Sequence, residues 1–234
     1  MAEAPTDKRK AIVDALMDLA ARRPWDEIEI GDIAQAANVS LAEFRDLFPS
    51  KGAVLGSLSR QIDKQVLEGT TDDLAGEPAR ERVFDVLMRR FDAMEPYKEA
   101  LRRISQDLQY DPLSIAALNQ VALNSMRFML AAAGINTEGP LGGLKLQGAV
   151  LVYSNTMRTW LEDDDPTLAK TMARLDRELR RGERILEGAE DVRRLTAPLR
   201  ALGRALMGSR RSFRRDSRRP REGSGDAENP AAAI

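Results

Sequence analysis

The stretch "NVSLAEFRDLFPSKGAVL", Asn38–Leu55, decides the fold. Asn38 stands where a tight turn needs a left-handed backbone, a conformation Asn tolerates best after Gly. Val39 is an apolar turn residue. Ser40 followed by Glu43 is a capping box, in which each residue satisfies a backbone N–H of the other and starts a helix. Phe44, Leu47 and Phe48 give that helix one apolar face, and Pro49 ends it. Ser50 then caps a further helix. Upstream, "DIAQAA" reads as a short helix with Ile33 and Ala34 inward. Two short helices joined by Asn-Val-Ser form a helix-turn-helix.

Outward from this core the periodicity stays helical. Ile12, Leu16, Leu19 and Ala20 recur at i, i+4, i+7 and i+8, which predicts an amphipathic helix over Thr6–Arg23, broken at Pro24. A short helix is expected over Gly31–Ala37 and a longer one over Lys51–Leu67. "GTTDDLAGEP", Gly69–Pro78, has linker composition. Beyond it, Val83, Leu87, Phe91 and Met94 mark the next stripe, and Pro96 interrupts it. Helices are then expected through Leu108, from Tyr110–Pro112 to Ala133, and over Leu141–Leu161. "EDDDP", Glu162–Pro166, breaks the last of these. Leu168, Met172, Leu175 and Leu179 mark another helix, and Val192–Met207 a final one. No β-alternation is visible. The expected fold is all-α: an N-terminal three-helix helix-turn-helix domain (1–67), a helical bundle (68–208) and a basic, disordered tail (209–234).

The chain has no Cys and no His. Cysteine–histidine and serine–histidine catalysis are thereby excluded, and the usual ligands of zinc and iron–sulfur centres are absent. No metal or other cofactor is expected. No nucleophile–base pairing or phosphate loop stands out, so an enzyme is not expected. No apolar run approaches a membrane span, and MAEAPTDKRK lacks a signal-peptide core, so a cytoplasmic location is expected. The Asp163–Asp165 run precedes Pro166 and a helix, and reads as a solvated loop complementing the helix dipole rather than a metal site.

Over roughly Lys8–Leu67, the first helix, "IGDIAQAANVS" (Ile30–Ser40) and "FPSKGAVL" (Phe48–Leu55) resemble the DNA-binding domain of TetR-type transcriptional regulators. The resemblance implies a homodimer on double-stranded DNA, with repression as the expected role. It also implies a helical domain that dimerises around Leu141–Leu161 and Leu168–Ile185 and takes an apolar small-molecule effector. By the family pattern, Ser40, Leu41, Ala42 and Arg45 would lie on DNA. Lys51 would meet phosphate, and Lys8 and Lys10, with Arg9, would form a basic arm. Two departures stand against this. The family's Ser or Thr cap of the second helix aligns with Ile28. The outward positions of the third helix include Glu43 and Asp46, and residues 1–65 hold eleven acidic against nine basic side chains. Phosphate neutralisation supplies much of DNA affinity, so this balance is unusual. Glu43 serves either the capping box or a cytosine. Trp25 reads as a plug between the first two helices.

Candidate effector-lining residues follow from aromatic and Met positions after Ala79: Phe84, Phe91, Met94, Met126, Phe128, Met129, Tyr153, Met157 and Trp160. Equally, such residues at helical spacing form plain core. "RRFDAMEPYKEALRRI" (Arg89–Ile104) and "AVLVYSNTMRTWLEDDDPTLAKTMARLDREL" (Ala149–Leu179) are similar in order to a TetR-fold lipid-binding accessory protein of ubiquinone biosynthesis. That resemblance implies an alternative: lipid binding without DNA. Leu195, Leu199, Leu202 and Leu206 form a stripe, and Arg pairs from Arg210 to Arg219 follow it. Val192–Arg221 is therefore a candidate for peripheral membrane contact, for DNA phosphate, or for docking on the bundle.

Overall fold

The computed structural model describes residues 5–139 and 141–188. The Val192–Met207 helix and the arginine-rich tail expected from the sequence lie outside the described residues. The described residues form helices joined by turns and loops, without a strand. The elements are α1 (Pro5–Ala20), α2 (Ile30–Ala36), α3 (Leu41–Leu47), α4 (Lys51–Glu68), α5 (Ala79–Met94), α6 (Lys98–Leu108), α7 (Pro112–Ala132) and α8 (Gly142–Glu162). A ninth, α9, occupies 169–188. Short 3-10 turns stand at Trp25–Glu27, Asp72–Leu74 and Glu95–Tyr97. The described residues up to Leu186 form one unit. Leu67, where the sequence suggests a boundary, lies in the last turn of α4.

Each helix forms where its apolar stripe finds cover. Ile12, Val13, Leu16, Met17 and Ala20 of α1 are buried, and α1 packs on α2, α4 and α6. Phe44 and Phe48 close the core of the helix-turn-helix, their rings 6.1 Å apart. Burying each stabilises by about 1.5–3 kcal/mol. The turn before α3 holds Asn38 at φ 53°. α7 starts where Asp111 accepts from the Leu113 N–H at 3.1 Å, with Pro112 next, and it stops before Gly134 at φ 70°.

α4 joins the two halves. It packs on α1 in front and on α5 and α7 behind. The rear contact buries charge: Arg90 on α5 donates to Asp63 on α4 and, at 3.1 Å, to the Ser59 hydroxyl. Ser125 on α7 donates to the same Asp63 oxygen at 2.7 Å. A carboxylate buried between three helices persists only when paired in this way.

Two expectations need correction. Asp163 is not part of a solvated loop but fully buried, accepting from the N–H and hydroxyl of Thr171 at 2.9 and 2.8 Å. Burial alone would raise its pKa, but the Thr171 bonds outweigh it and hold the carboxyl below its ordinary value. It tethers the start of α9, just after Leu168 adopts a left-handed φ of 51°. Asp164, by contrast, is exposed and pairs with Arg102. The second correction concerns α2, whose N-cap is Glu29 and not Ile28. The Glu29 N–H donates to Asp32 at 3.1 Å. Ile28 is core, and the slip of one residue follows from its burial.

Candidate nucleic-acid interface

The surface around α3 is built from four elements. Ser40 starts α3 as the sequence indicates: its hydroxyl accepts from the Glu43 N–H at 3.2 Å. Glu43 returns the bond by accepting from the Ser40 N–H at 2.8 Å and its hydroxyl at 3.0 Å. Lys8 on α1 reaches the other Glu43 oxygen at 2.5 Å. The Lys8 ammonium, then the Ser40 N–H and hydroxyl, hold the Glu43 carboxyl down to about 2. The acidic residue that counted against DNA binding is thus neutralised within the fold.

Arg9 lies at the other end of α3. It donates to the Leu47 carbonyl at 3.2 Å and covers the Phe48 ring at 5.3 Å. Lys10 pairs with Asp14, which raises its pKa. Of the basic arm, Lys8 and Lys10 therefore meet carboxylates while Arg9 meets a neutral carbonyl and a ring. The difference matters electrostatically, because Arg9 keeps its full charge for the surroundings.

Lys51 opens α4, with Ser50 as N-cap accepting from the Ala53 N–H at 3.2 Å. The Lys51 ammonium donates to the Trp25 and Ile28 carbonyls at 2.6 and 2.7 Å. It also sits 4.7 Å from the centre of the Trp25 ring. Burial pushes its pKa down, against the opposing pull of Asp26. Lys51 therefore clips the α1–α2 connection to α4. Its partners are again neutral, so its charge persists next to the α4 N-terminus. Trp25 in turn is half-buried and packs against the core, and its backbone N–H donates to the Asp107 carboxylate on α6 at 2.8 Å.

What remains on the outer face of α3 is Leu41, Ala42, Arg45 and Asp46, all exposed. Leu41 is 61% exposed. Arg45 and Asp46 have no ionic or hydrogen-bonded partner among the described residues.

The expected effector liners converge, but on one another. Phe91 stacks on Tyr153 and tilts against Trp160, each with ring centres 5.6 Å apart. The Tyr153 hydroxyl meets the Met94 sulfur at 3.4 Å. Met126 and Met129 are buried on α7, Phe84 and Met157 are half-buried, and Phe128 points outward at 54% exposure. Two pockets open at the surface, both with charged residues in their lining. One of about 320 Å³ lies along Glu99, Arg102 and Asp107, and one of about 420 Å³ along Asp92, Glu95 and Asp163–Asp165.

Sequence reading missed the Asp63–Arg90–Ser125 cluster. A signal existed: Arg90 falls on the Val83, Val86, Leu87, Phe91, Met94 stripe, where a charge needs a partner.

No family model and no curated protein matches the sequence. The structure is similar to that of a TetR transcriptional regulator from Nitrosomonas europaea ATCC 19718, with a TM-score of 0.60 at 22% identity, covering 75% of this chain and 97% of that one. A TetR transcriptional regulator from Rhodococcus sp. RHA1 matches with a TM-score of 0.57 at 18% identity, covering 77% and 97%. The chain has the fold of these regulators.

Proposed function

We propose that the chain is a DNA-binding transcriptional regulator that acts as a homodimer and represses. The observation that carries this reading is the outer face of α3. Its four exposed residues are left unengaged, while Lys8, Glu43 and Arg9 hold the helix in place and Lys51 ties the α1–α2 connection to α4. A surface helix held this firmly, with a bare face, suits entry into a major groove. Arg9, Arg45 and Lys51 supply positive charge around it, none of them in an ion pair with a carboxylate among the described residues, although Asp46 stands beside Arg45 and Asp26 acts on Lys51. Exposed Leu144 and Leu151 on α8 and Ile185 on α9 support pairing of two copies through these helices.

Selection from random duplex DNA with the full chain at low salt tests the reading. A recurring near-palindromic sequence is expected, with affinity falling steeply as salt rises. Recovery of no shared sequence overturns it.

The effector part of the reading makes a definite demand. Phe91, Met94, Tyr153 and Trp160 touch one another, so an apolar ligand binds there only by parting them. Ligand binding then changes Trp160 fluorescence and, by linkage, changes DNA affinity by the same factor that DNA changes ligand affinity.

A further inference from the structure

We propose that α3 reads a thymine methyl and a G·C pair, with Leu41 and Ala42 on the methyl and Arg45 and Asp46 together on the pair. The inference rests on the DNA-binding reading above.

Leu41 is the most exposed large aliphatic residue of α1–α4, at the first position of α3. It has no polar atom, so on a base edge it complements only an apolar group. In the major groove that group is the thymine C5-methyl. Ala42 lies beside it and is equally bare. Arg45 stands four residues after Leu41, about 6 Å along the helix, or roughly two base-pair steps. Its guanidinium fork fits guanine O6 and N7.

Asp46 is the residue that a purely phosphate-driven contact leaves unexplained, since a free carboxylate near phosphate repels. Beside Arg45 it has another use. The cytosine of a G·C pair presents an N4 donor next to the guanine acceptors, and a carboxylate accepts from it. Arg45 and Asp46 are consecutive and both exposed on α3, so one turn of the helix presents a donor fork and an acceptor. Glu43 is already engaged within the fold: one oxygen accepts from Lys8 and the other from the Ser40 N–H and hydroxyl.

The test uses the full chain and the duplex it selects. Replacing the contacted thymine by deoxyuridine is expected to weaken binding about fourfold, the value of one methyl group, and Leu41→Ala removes that sensitivity. Replacing the guanine by 7-deazaguanine is expected to weaken binding at least about tenfold, and Arg45→Ala removes that difference. Asp46→Asn decides the remaining point: the inference expects weaker binding to the selected duplex and loss of preference at the G·C pair. Tighter binding to all duplexes alike identifies Asp46 as a mere repulsive charge and overturns its assignment. A selected sequence with no thymine or G·C preference, or one indifferent to both base analogues, overturns the inference while leaving DNA binding intact. No selected sequence at all overturns the DNA reading itself.

Discussion

The helix-turn-helix and the bundle behind it solve the burial problem differently. In residues 7–48 every buried side chain is apolar; the buried polar and charged residues among those described are Ser57, Asp63, Arg90, Ser125, Thr156, Asp163, Thr171 and Glu178. The head is a dry apolar plug with its ion pairs on the surface. The bundle is wired internally: Asp63 takes Arg90 from 27 residues away and Ser125 from 62. A dry core is set by volume and pattern, so it tolerates shape-conserving change. A wired core needs each partner present, because any one of them left alone is a buried, uncompensated charge.

The sharpest way to break this contrast is Asp63→Ala. It strands the Arg90 guanidinium, 3% exposed, and is expected to cost about 3–5 kcal/mol in urea unfolding. Adding Arg90→Met is expected to restore most of that loss. If the double variant is no more stable than the single one, the wiring does not explain the cost. In the head, Leu16→Ala is expected to cost about 2–5 kcal/mol through the cavity it leaves, and Leu16→Met less than about 1.5. Similar costs for both would show that the head is not governed by volume.

Smaller effects probe the junction. Lys51→Met keeps the packing on Trp25 but leaves two carbonyls without their donor, which costs about 1–3 kcal/mol. It is expected to lower the unfolding midpoint together with DNA affinity, since Lys51 both holds the connection and carries charge. Ser40→Ala removes the cap of α3, at about 1 kcal/mol. The smallest effect concerns pH. The Glu43 carboxyl is held at about 2 against an ordinary 4.5. Its contribution to stability is therefore full above about pH 4.5 and is lost as pH falls toward 2. Glu43→Gln is expected to flatten the acid limb of the stability profile in that window and to leave neutral-pH DNA recognition sequence-specific. An unchanged acid limb would mean that Lys8 and Ser40 do not bind the carboxylate in solution.

The two regions also differ in how much of them was legible. The turn at Asn38, the capping box and the inward Phe44 and Phe48 follow from local spacing, and the structure contains all of them. Capping, turn chemistry and amphipathic period act within four residues of chain, so a single strand of sequence carries them. The one local slip, the α2 cap, came from aligning the family's cap position with Ile28, one residue before the actual cap Glu29.

The rest required the chain to close on itself. That Lys8 would meet Glu43 across 35 residues, and Lys51 the Trp25 and Ile28 carbonyls, is invisible to periodicity. The same holds for Asp163, whose run of acids looked solvated until Thr171 was seen to satisfy it. Sequence by itself determined the helices and the helix-turn-helix, because those obey short-range rules. Only the tertiary structure decided which charges are consumed and which stand free, because an ion's partner is chosen by proximity in space. On the outer face of α3, that choice leaves Leu41, Ala42, Arg45 and Asp46 for whatever the helix meets.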